Sequence, residues 1–325
     1  MKDKQTVLLS VCLLLFTAFI FPADQEKKIR LISDLSIGAD AGDENYIFGG
    51  IQDVALDSEE NIYIFDWRNR QVRKFDPQGT FLSSLTVEEG QGPGEVSMPS
   101  ATVVTPSGEI LIFDSGAQRI QMFDSKGEFR KSLKFEFQAT HAVLYDSNTI
   151  AVLGLSNGKL FHIYDLEGRI LESFGQPFDV PSKLSQYKDM PIMRAPMRCN
   201  SSNEGRILLT NPHRYEISVL QDGQQVGSIK GKNEAFRPTS VTKSNVGSFG
   251  VVFPYLQIIE YQDILFVCIR GFGRDADNSL DVFENGDQIG TLKVNGILYV
   301  ADAQGRLYFV EEEDFPRVVR YRLEK

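Results

Sequence analysis

Histidine is the residue type best suited to metal or acid–base chemistry, and this sequence has three, His141, His162 and His213. Imidazole titrates near neutral pH and is a common zinc ligand. The three lie far apart along the chain, and Cys199 and Cys268 likewise show no metal-ligand spacing. The pattern favours ordinary histidines and free buried cysteines, with a disulfide between the two cysteines as the alternative.

The acidic stretch Asp275–Ser279 is a second candidate for ion binding, because its composition is typical of calcium loops. Leu280 occupies the place of the turn glycine, however, and Gly286 stands where the bidentate glutamate belongs. We therefore interpret the stretch as a solvated loop. The sequence contains neither a Gly-x-Ser-x-Gly nucleophile motif nor a Walker-type phosphate loop.

An internal repeat determines which elements would position such side chains. Val54–Leu85 and Val103–Leu133 carry the same phrase, with a Phe-Asp pair at 65–66 that recurs 48 residues later at 113–114. Apolar residues alternate with period two in both copies, which predicts strands. Tight turns ending in glycine separate the last two strands of each copy. Each copy therefore predicts one four-stranded antiparallel blade of a propeller.

Four weaker copies follow, at Val143–Phe174, Arg206–Ile229, Ile264–Leu292 and Val300–Arg322. The sequence thus predicts an all-β, six-bladed β-propeller of four-stranded antiparallel blades. The sixth copy ends before a fourth strand, and an unpaired sheet edge is a liability. We expect Ile29–Ile37, which alternates well and belongs to no other copy, to supply that strand and close the ring.

The repeat pattern resembles the NHL-type repeat of six-bladed β-propellers. Gly90–Glu95 (GQGPGE) is similar to a linker in the bacterial secreted six-bladed β-propeller family. The resemblance covers residues 29–325 and is strongest in the first two blades. It implies the fold but leaves the function open, because the wider group includes protein-binding modules, lactonases and lyases.

The N-terminus has the pattern of a secretory signal peptide, with Lys2 and Lys4 before the apolar run Val7–Phe21. We expect a signal peptide at residues 1–23, with an uncleaved anchor as the alternative, and a single propeller domain at residues 24–325. The protein would then be exported to the periplasm or beyond, and only a retained N-terminal segment would contact a membrane. The net charge of −10 argues against a nucleic-acid partner.

A central channel offers one place for chemistry in such a ring. Asp53, Asn200, Asn203 and Asp263 lie near the expected innermost strands, where acid and amide oxygens could hold Ca²⁺. A metal-dependent, lactonase-like hydrolase or lyase with its site in the channel is therefore the alternative function. His162 falls in the third strand of its blade, away from the axis, which argues against zinc chemistry by the three histidines.

Loops offer the other place. In a propeller, the loops between second and third strands share one face with the connections between blades, and we call this the long-loop face. It collects half of the 18 arginines of the chain together with several aromatic residues, and both types anchor recognition surfaces. The candidate ligand-binding residues are Trp67, Arg68, Arg194, Arg198, His213, Arg214, Tyr255, Arg270 and Arg274.

The sequence therefore favours an extracytoplasmic recognition or scaffold module, without a cofactor, that binds a protein, peptide or glycan on the long-loop face. Arg70 and Arg119 are exceptions on this face, because a repeated Asp…Arg phrase with Asp66 and Asp114 predicts structural ion pairs between blades. A purely structural role in an extracellular assembly gives the same pattern. Metal analysis of the native protein would separate the binding module from the metal-dependent enzyme.

The face assignment leads to a first prediction. Replacing Arg194, Arg270 and Arg274 together by Ala should weaken partner capture in a pull-down and leave the thermal midpoint nearly unchanged, because exposed side chains contribute little to stability. Unfolding of the variant would instead show that these arginines tie blades together. Binding that survives here, and is lost by changes on the opposite face, would show that the wrong face was assigned.

Overall fold

Six four-stranded antiparallel sheets arranged as a propeller make up the fold, confirming the predicted class. The computed structural model describes residues 29–196, 198–201, 205–243, 249–271 and 277–325, with the side chains of Lys243 and Phe249 left out. The expected signal peptide at residues 1–23 lies outside these ranges. In the part of the chain so described, no helix has the length and apolar character needed to cross a bilayer.

The elements follow one another blade by blade. The described part of the chain starts with β1 (Arg30–Ile37), and blade one follows with β2 (Ile51–Leu56), β3 (Ile62–Asp66), β4 (Gln71–Phe75) and β5 (Phe81–Thr86). Blade two comprises β6 (Pro99–Val104), β7 (Ile110–Asp114), β8 (Arg119–Phe123) and β9 (Phe129–Lys134). Blade three comprises β10 (His141–Asp146), β11 (Thr149–Ser156), β12 (Lys159–Asp165) and β13 (Ile170–Phe174).

The second half has longer connections. The short helix α1 (Pro191–Arg194) precedes blade four, which comprises β14 (Cys199–Ser201), β15 (Ile207–Thr210), β16 (Glu216–Gln221) and β17 (Gln224–Lys230). A hairpin of β18 (Ser240–Lys243) and β19 (Phe249–Val252) precedes blade five, which comprises β20 (Leu256–Tyr261), β21 (Ile264–Ile269), β22 (Asn278–Glu284) and β23 (Asp287–Val294). Blade six follows with β24 (Ile297–Ala301), β25 (Leu307–Glu311) and β26 (Arg317–Glu324). Two 3-10 helices, Glu44–Tyr46 and Ser182–Tyr187, lie in loops.

The hydrophobic core is divided among the interfaces between blades. In β3 every residue is buried, because Ile62 and Ile64 face blade six while Tyr63 and Phe65 face blade two. Side chains alternate across a strand, so a strand buried on both faces reads as a continuous apolar run. The same argument holds for β7. The middle strands of each blade therefore contribute to two cores at once.

Ring closure follows the prediction. β1 pairs antiparallel with β26 and becomes the outermost strand of blade six, with Arg30 opposite Glu324 and Ile37 opposite Val318. The Ile37 side chain is 1% exposed and packs in the cluster that joins blades six and one. The pairing removes the sheet edge that the sixth blade would otherwise expose.

Turn chemistry also follows the prediction in the first blades. The Asp76 carboxylate accepts hydrogen bonds from the backbone N–H groups of Gln78 and Thr80. Gly79 closes the turn at a φ of +86°, a conformation that favours glycine. Gly127 occupies the equivalent place in blade two at +83°. These turns set the register of the outermost strands.

Ring closure can be tested by a matched pair of variants. Ile37→Ala should lower the free energy of unfolding by about 2–4 kcal/mol, because it leaves a cavity in the closing interface. Leu82→Ala is the control, since Leu82 lies on an outermost strand at 49% exposure and should change stability by about 0.5 kcal/mol or less. Denaturant unfolding measures the free energy of unfolding of both variants. Equal losses would contradict a contribution of the closing strand to stability.

Candidate functional site

A polar cavity lies on the propeller axis, and all six innermost strands contribute to it. Its volume is about 200 Å³. We call it the neck. Its polar and cationic lining comprises Asp53 from β2, Thr102 from β6, His141 from β10, Cys199, Asn200 and Ser201 from β14 with the preceding Arg198, Gln257 from β20 and Tyr299 from β24.

A wider cavity of about 660 Å³ opens above the neck on the long-loop face. We call it the mouth, and the two cavities together the funnel. His141 and Arg198 line both, so they mark the junction. The remaining lining of the mouth lies on β6, just before β10 or β20, or just after β21. It comprises Ser100, Thr140, Val251, Val252, Phe253, Pro254, Tyr255, Arg270 and Gly271.

Two arginines share one aromatic ring at the mouth. The guanidinium carbons of Arg198 and Arg270 lie 5.1 Å and 5.7 Å from the ring centroid of Tyr255. The backbone N–H of Arg270 donates to the Tyr255 carbonyl, which fixes the two loops together. Within the described residues, neither guanidinium donates a hydrogen bond or forms an ion pair. Both charges are thus available to a ligand, and the tyrosine holds them in place.

Asp53 is the acid of the neck. One carboxylate oxygen accepts the Val54 N–H at 2.9 Å and the other accepts the Thr102 N–H at 2.5 Å, so the side chain also joins blades one and two. Burial raises the pKa of Asp53 to about 6, although Arg198 and both backbone hydrogen bonds oppose the shift. The neck therefore contains a carboxyl group that titrates just below neutral pH.

Cys199 and His141 form a thiol–imidazole pair, with Sγ 3.8 Å from Nδ1. Burial raises the pKa of the Cys199 thiol, and burial with the nearby Arg198 lowers the pKa of His141 to about 3. Both partners are therefore neutral at pH 7. A neutral thiol is a poor nucleophile, so the pair presents neutral polar groups rather than a thiolate.

Two hydroxyl groups in the funnel wall lack a partner among the described residues. They are Ser100 Oγ in the mouth and Thr102 Oγ1 in the neck. Thr102 is only 7% exposed, and an unsatisfied buried hydroxyl costs free energy. Such a group is explained when a ligand or water supplies the missing partner.

Three of the nine predicted binding residues meet at the funnel, namely Arg198, Tyr255 and Arg270. Trp67 and Arg68 lie elsewhere, in the loop between β3 and β4, with the guanidinium 5.4 Å from the ring centroid. Trp67 is 45% exposed, and neither residue lines the mouth. They form a separate exposed pair.

The remaining predicted residues do not join the funnel. Arg194 ends α1, where its carbonyl accepts the Phe178 N–H. His213 donates from Nε2 to the Met193 carbonyl at 2.8 Å, which ties its loop to α1. Arg214 pairs with Glu216 at 3.4 Å on the surface. Arg274 lies outside the described residues.

Arg70 and Arg119 hold the linker into blade two. Arg119 pairs with Asp114 at 3.4 Å and donates to the carbonyls of Gln91 and Glu95. The matching pair in blade one is not formed, because Arg70 instead reaches Glu89 and the Val96 carbonyl. The expectation for Arg70 is corrected accordingly: Asp66 is occupied by Arg73, at 3.9 Å, and by loop N–H groups.

The channel does not assemble the predicted calcium ligands. Asp263 is exposed in the turn between β20 and β21 rather than in the channel, which corrects its placement, and Asn203 lies outside the described residues. Asn200 donates its amide to the Ile258 carbonyl. Within the described ranges no three His, Cys, Asp or Glu side chains are grouped to share a metal. One carboxylate with both oxygens engaged, beside an arginine, does not fit Ca²⁺.

Sequence reasoning missed the remaining contributors to the funnel. Ser100, Thr102 and the segment Val251–Pro254 carry no motif, and His141 was expected to be an ordinary histidine. Their common signal is position, because each lies on an innermost strand or just before one begins. Such a signal becomes visible only when strand boundaries are known.

Comparison with known proteins supports the fold. The DUF5128 family, described as a 6-bladed beta-propeller, matches residues 42–172, which span β2 to β13. This is less than half of the chain. No curated protein matches the chain in sequence.

Solved structures match over nearly the whole chain. A DUF4221-family protein from Bacteroides vulgatus has a TM-score of 0.61 at 10% identity, covering 93% of this chain and 100% of that one. A predicted exported protein of Bacteroides fragilis has a TM-score of 0.64 at 13% identity, covering 94% and 98%. Virginiamycin B lyase from Staphylococcus aureus has a TM-score of 0.53 at 11% identity, covering 90% and 98%. At these identities the likeness shows the propeller fold alone.

The neck predicts an unusual titration. Because the pKa of Asp53 is raised to about 6 in the folded protein, its contribution to stability should be present below pH 4 and lost as the pH rises through 6, an effect of about 2–3 kcal/mol. Carboxyl ¹³C NMR should show one aspartate titrating near pH 6, and Asp53→Asn should remove that signal. A spectrum in which every aspartate titrates below pH 5 would contradict the assignment.

Proposed function

We propose that the protein is an exported recognition module that binds an anionic group of a protein, peptide or glycan in the funnel of its long-loop face. The observation that carries the proposal is the pair Arg198 and Arg270 on one Tyr255 ring, with no described acceptor for either guanidinium. The ligand would supply that acceptor.

Other arginines of the long-loop face provide the comparison. Arg119 is buried and Arg317 is half-buried, and each has a carboxylate partner, at 3.4 Å and 2.8 Å, as expected for desolvated guanidinium groups. Arg198 lies half-buried at the junction of two cavities without a carboxylate partner among the described residues. A desolvated guanidinium forms strong, charge-assisted hydrogen bonds with carboxylate and phosphate groups.

The overall acidity of the chain is compatible with an anionic ligand. Salt screens exposed charges beyond about 8–10 Å, so the two arginines dominate inside the funnel despite the net charge of −10. The distant acidic surface would lower the rate of association more than the affinity of the bound state. Raising the salt from very low to moderate concentration should therefore increase the association rate.

The chemistry of the neck favours binding over catalysis. The Cys199–His141 pair is neutral, and the Asp53 carboxylate is held by two backbone N–H groups. None of these groups is arranged as an activated nucleophile with its base. Export is proposed from the N-terminal signal pattern, and the resemblance to the Bacteroides fragilis protein agrees with it.

Arginine variants test the proposal. Arg198→Gln and Arg270→Gln should each weaken binding of anionic probes by about tenfold, which is ~1.4 kcal/mol, and should leave the thermal midpoint nearly unchanged. Arg214→Gln is the matched control, because Arg214 lies on the same face outside the funnel. Calorimetry with glucuronate, benzoate and an acetylated dipeptide with a free C-terminus measures the affinities.

Two outcomes would overturn the proposal. One is binding of these probes that falls as much in the Arg214→Gln control as in the funnel variants. The other is binding that is insensitive to both Arg198→Gln and Arg270→Gln, which would place the anion site elsewhere on the propeller.

A further inference from the structure

The geometry points to a monocarboxylic acid with an apolar body as the ligand of the funnel. This inference rests on the proposed function and narrows it to one chemical class. In this arrangement the carboxylate lies at the junction of mouth and neck, and the apolar body lies in the mouth. Three features of the funnel lead to it: the wall of the mouth, the donors at the junction and the balance of charge.

The wall of the mouth is apolar along one side. Val251, Val252, Phe253 and Pro254 are consecutive, half-buried and in contact with the cavity, and Tyr255 follows them. Apolar surface in a concave site is covered favourably by the apolar part of a ligand. The volume of about 660 Å³ is in the range of small-molecule sites. A purely polar ligand such as a free sugar acid would leave this wall uncovered.

The junction presents hydrogen-bond donors. Arg198 contributes a guanidinium beside the neutral imidazole of His141, and Thr102 contributes a buried hydroxyl without a described partner in the adjoining neck. A carboxylate is an acceptor at about four positions and matches the planar fork of an arginine. A carboxylate brings no donor of its own against these groups, whereas an amide or an alcohol would.

The charge of the funnel selects a monoanion. Arg198 and Arg270 supply two positive charges, and Asp53 supplies one negative charge when ionised. Cys199, Tyr299 and His141 are neutral at pH 7, because burial raises the pKa values of the first two and lowers that of His141. The net charge is therefore close to +1, which one carboxylate balances. A phosphate dianion would leave a negative charge uncompensated beside Asp53.

The test is a matched set of probes measured by isothermal titration calorimetry on the full mature chain at pH 7. The set is 4-phenylbutanoate, its primary amide, phenyl phosphate and glucuronate. We expect 4-phenylbutanoate to bind at least tenfold more tightly than each of the other three. Arg198→Gln should weaken it about tenfold, and Arg214→Gln should change it by less than twofold.

Thr102→Val separates a ligand-binding role from a structural one. Valine keeps the shape of threonine and removes the unpartnered hydroxyl, so the thermal midpoint should stay the same or rise. The affinity for 4-phenylbutanoate should nevertheless fall three- to tenfold. A lower midpoint with unchanged affinity would overturn the assignment of Thr102 to the ligand. If Arg198→Gln does not fold, the affinities of Thr102→Val and Arg198→Lys for 4-phenylbutanoate provide the test instead.

The probes distinguish failure of this inference from failure of the proposed function. Tighter binding of glucuronate or phenyl phosphate, with loss in Arg198→Gln, would overturn the apolar monocarboxylate and retain an anion site. Equal binding of the acid and its amide would overturn both. Binding of all four probes that is unaffected by Arg198→Gln would also overturn both.

Discussion

Packing of each blade against its neighbours is the interaction on which this structure depends. The six hydrophobic clusters coincide with the six interfaces between consecutive blades, and each cluster draws residues from two sheets. A blade alone would expose one apolar face on each side. All of these apolar faces are covered only when the ring is closed, and the pairing of β1 with β26 completes the fourth strand of blade six. The middle strands are apolar throughout because neighbouring blades cover both of their faces.

This constraint fixes the position of the funnel. Because the sheets must pack face to face around an axis, their innermost strands converge, and side chains from six distant segments come together without any local motif. Polar groups placed there are partly desolvated by the surrounding blades, which shifts the pKa values of Asp53 and His141 away from their usual range. The scaffold thus creates an electrostatic environment that no single blade could provide.

The arginines of the long-loop face fall into two groups by their partners. Arg70 and Arg119 are engaged with carboxylates and carbonyls of the linker into blade two, and they connect loops. Arg198 and Arg270 instead rest on an aromatic ring and face a cavity. The same side chain contributes to stability when the described part of the chain supplies its anion and stays available to a ligand when it does not.

The sequence by itself determined the blade, the number of blades and the closing strand, because period-two alternation and glycine turns are local and recur in register. It also indicated the long-loop face, and it contained Arg198, Tyr255 and Arg270 among the candidates. Only the tertiary structure decided which candidates meet, why Asp263 is exposed and Arg70 is not paired with Asp66, and that Thr102 and His141 belong to the funnel. Those facts depend on the start of each innermost strand and on contacts between segments far apart in sequence, which no local pattern encodes.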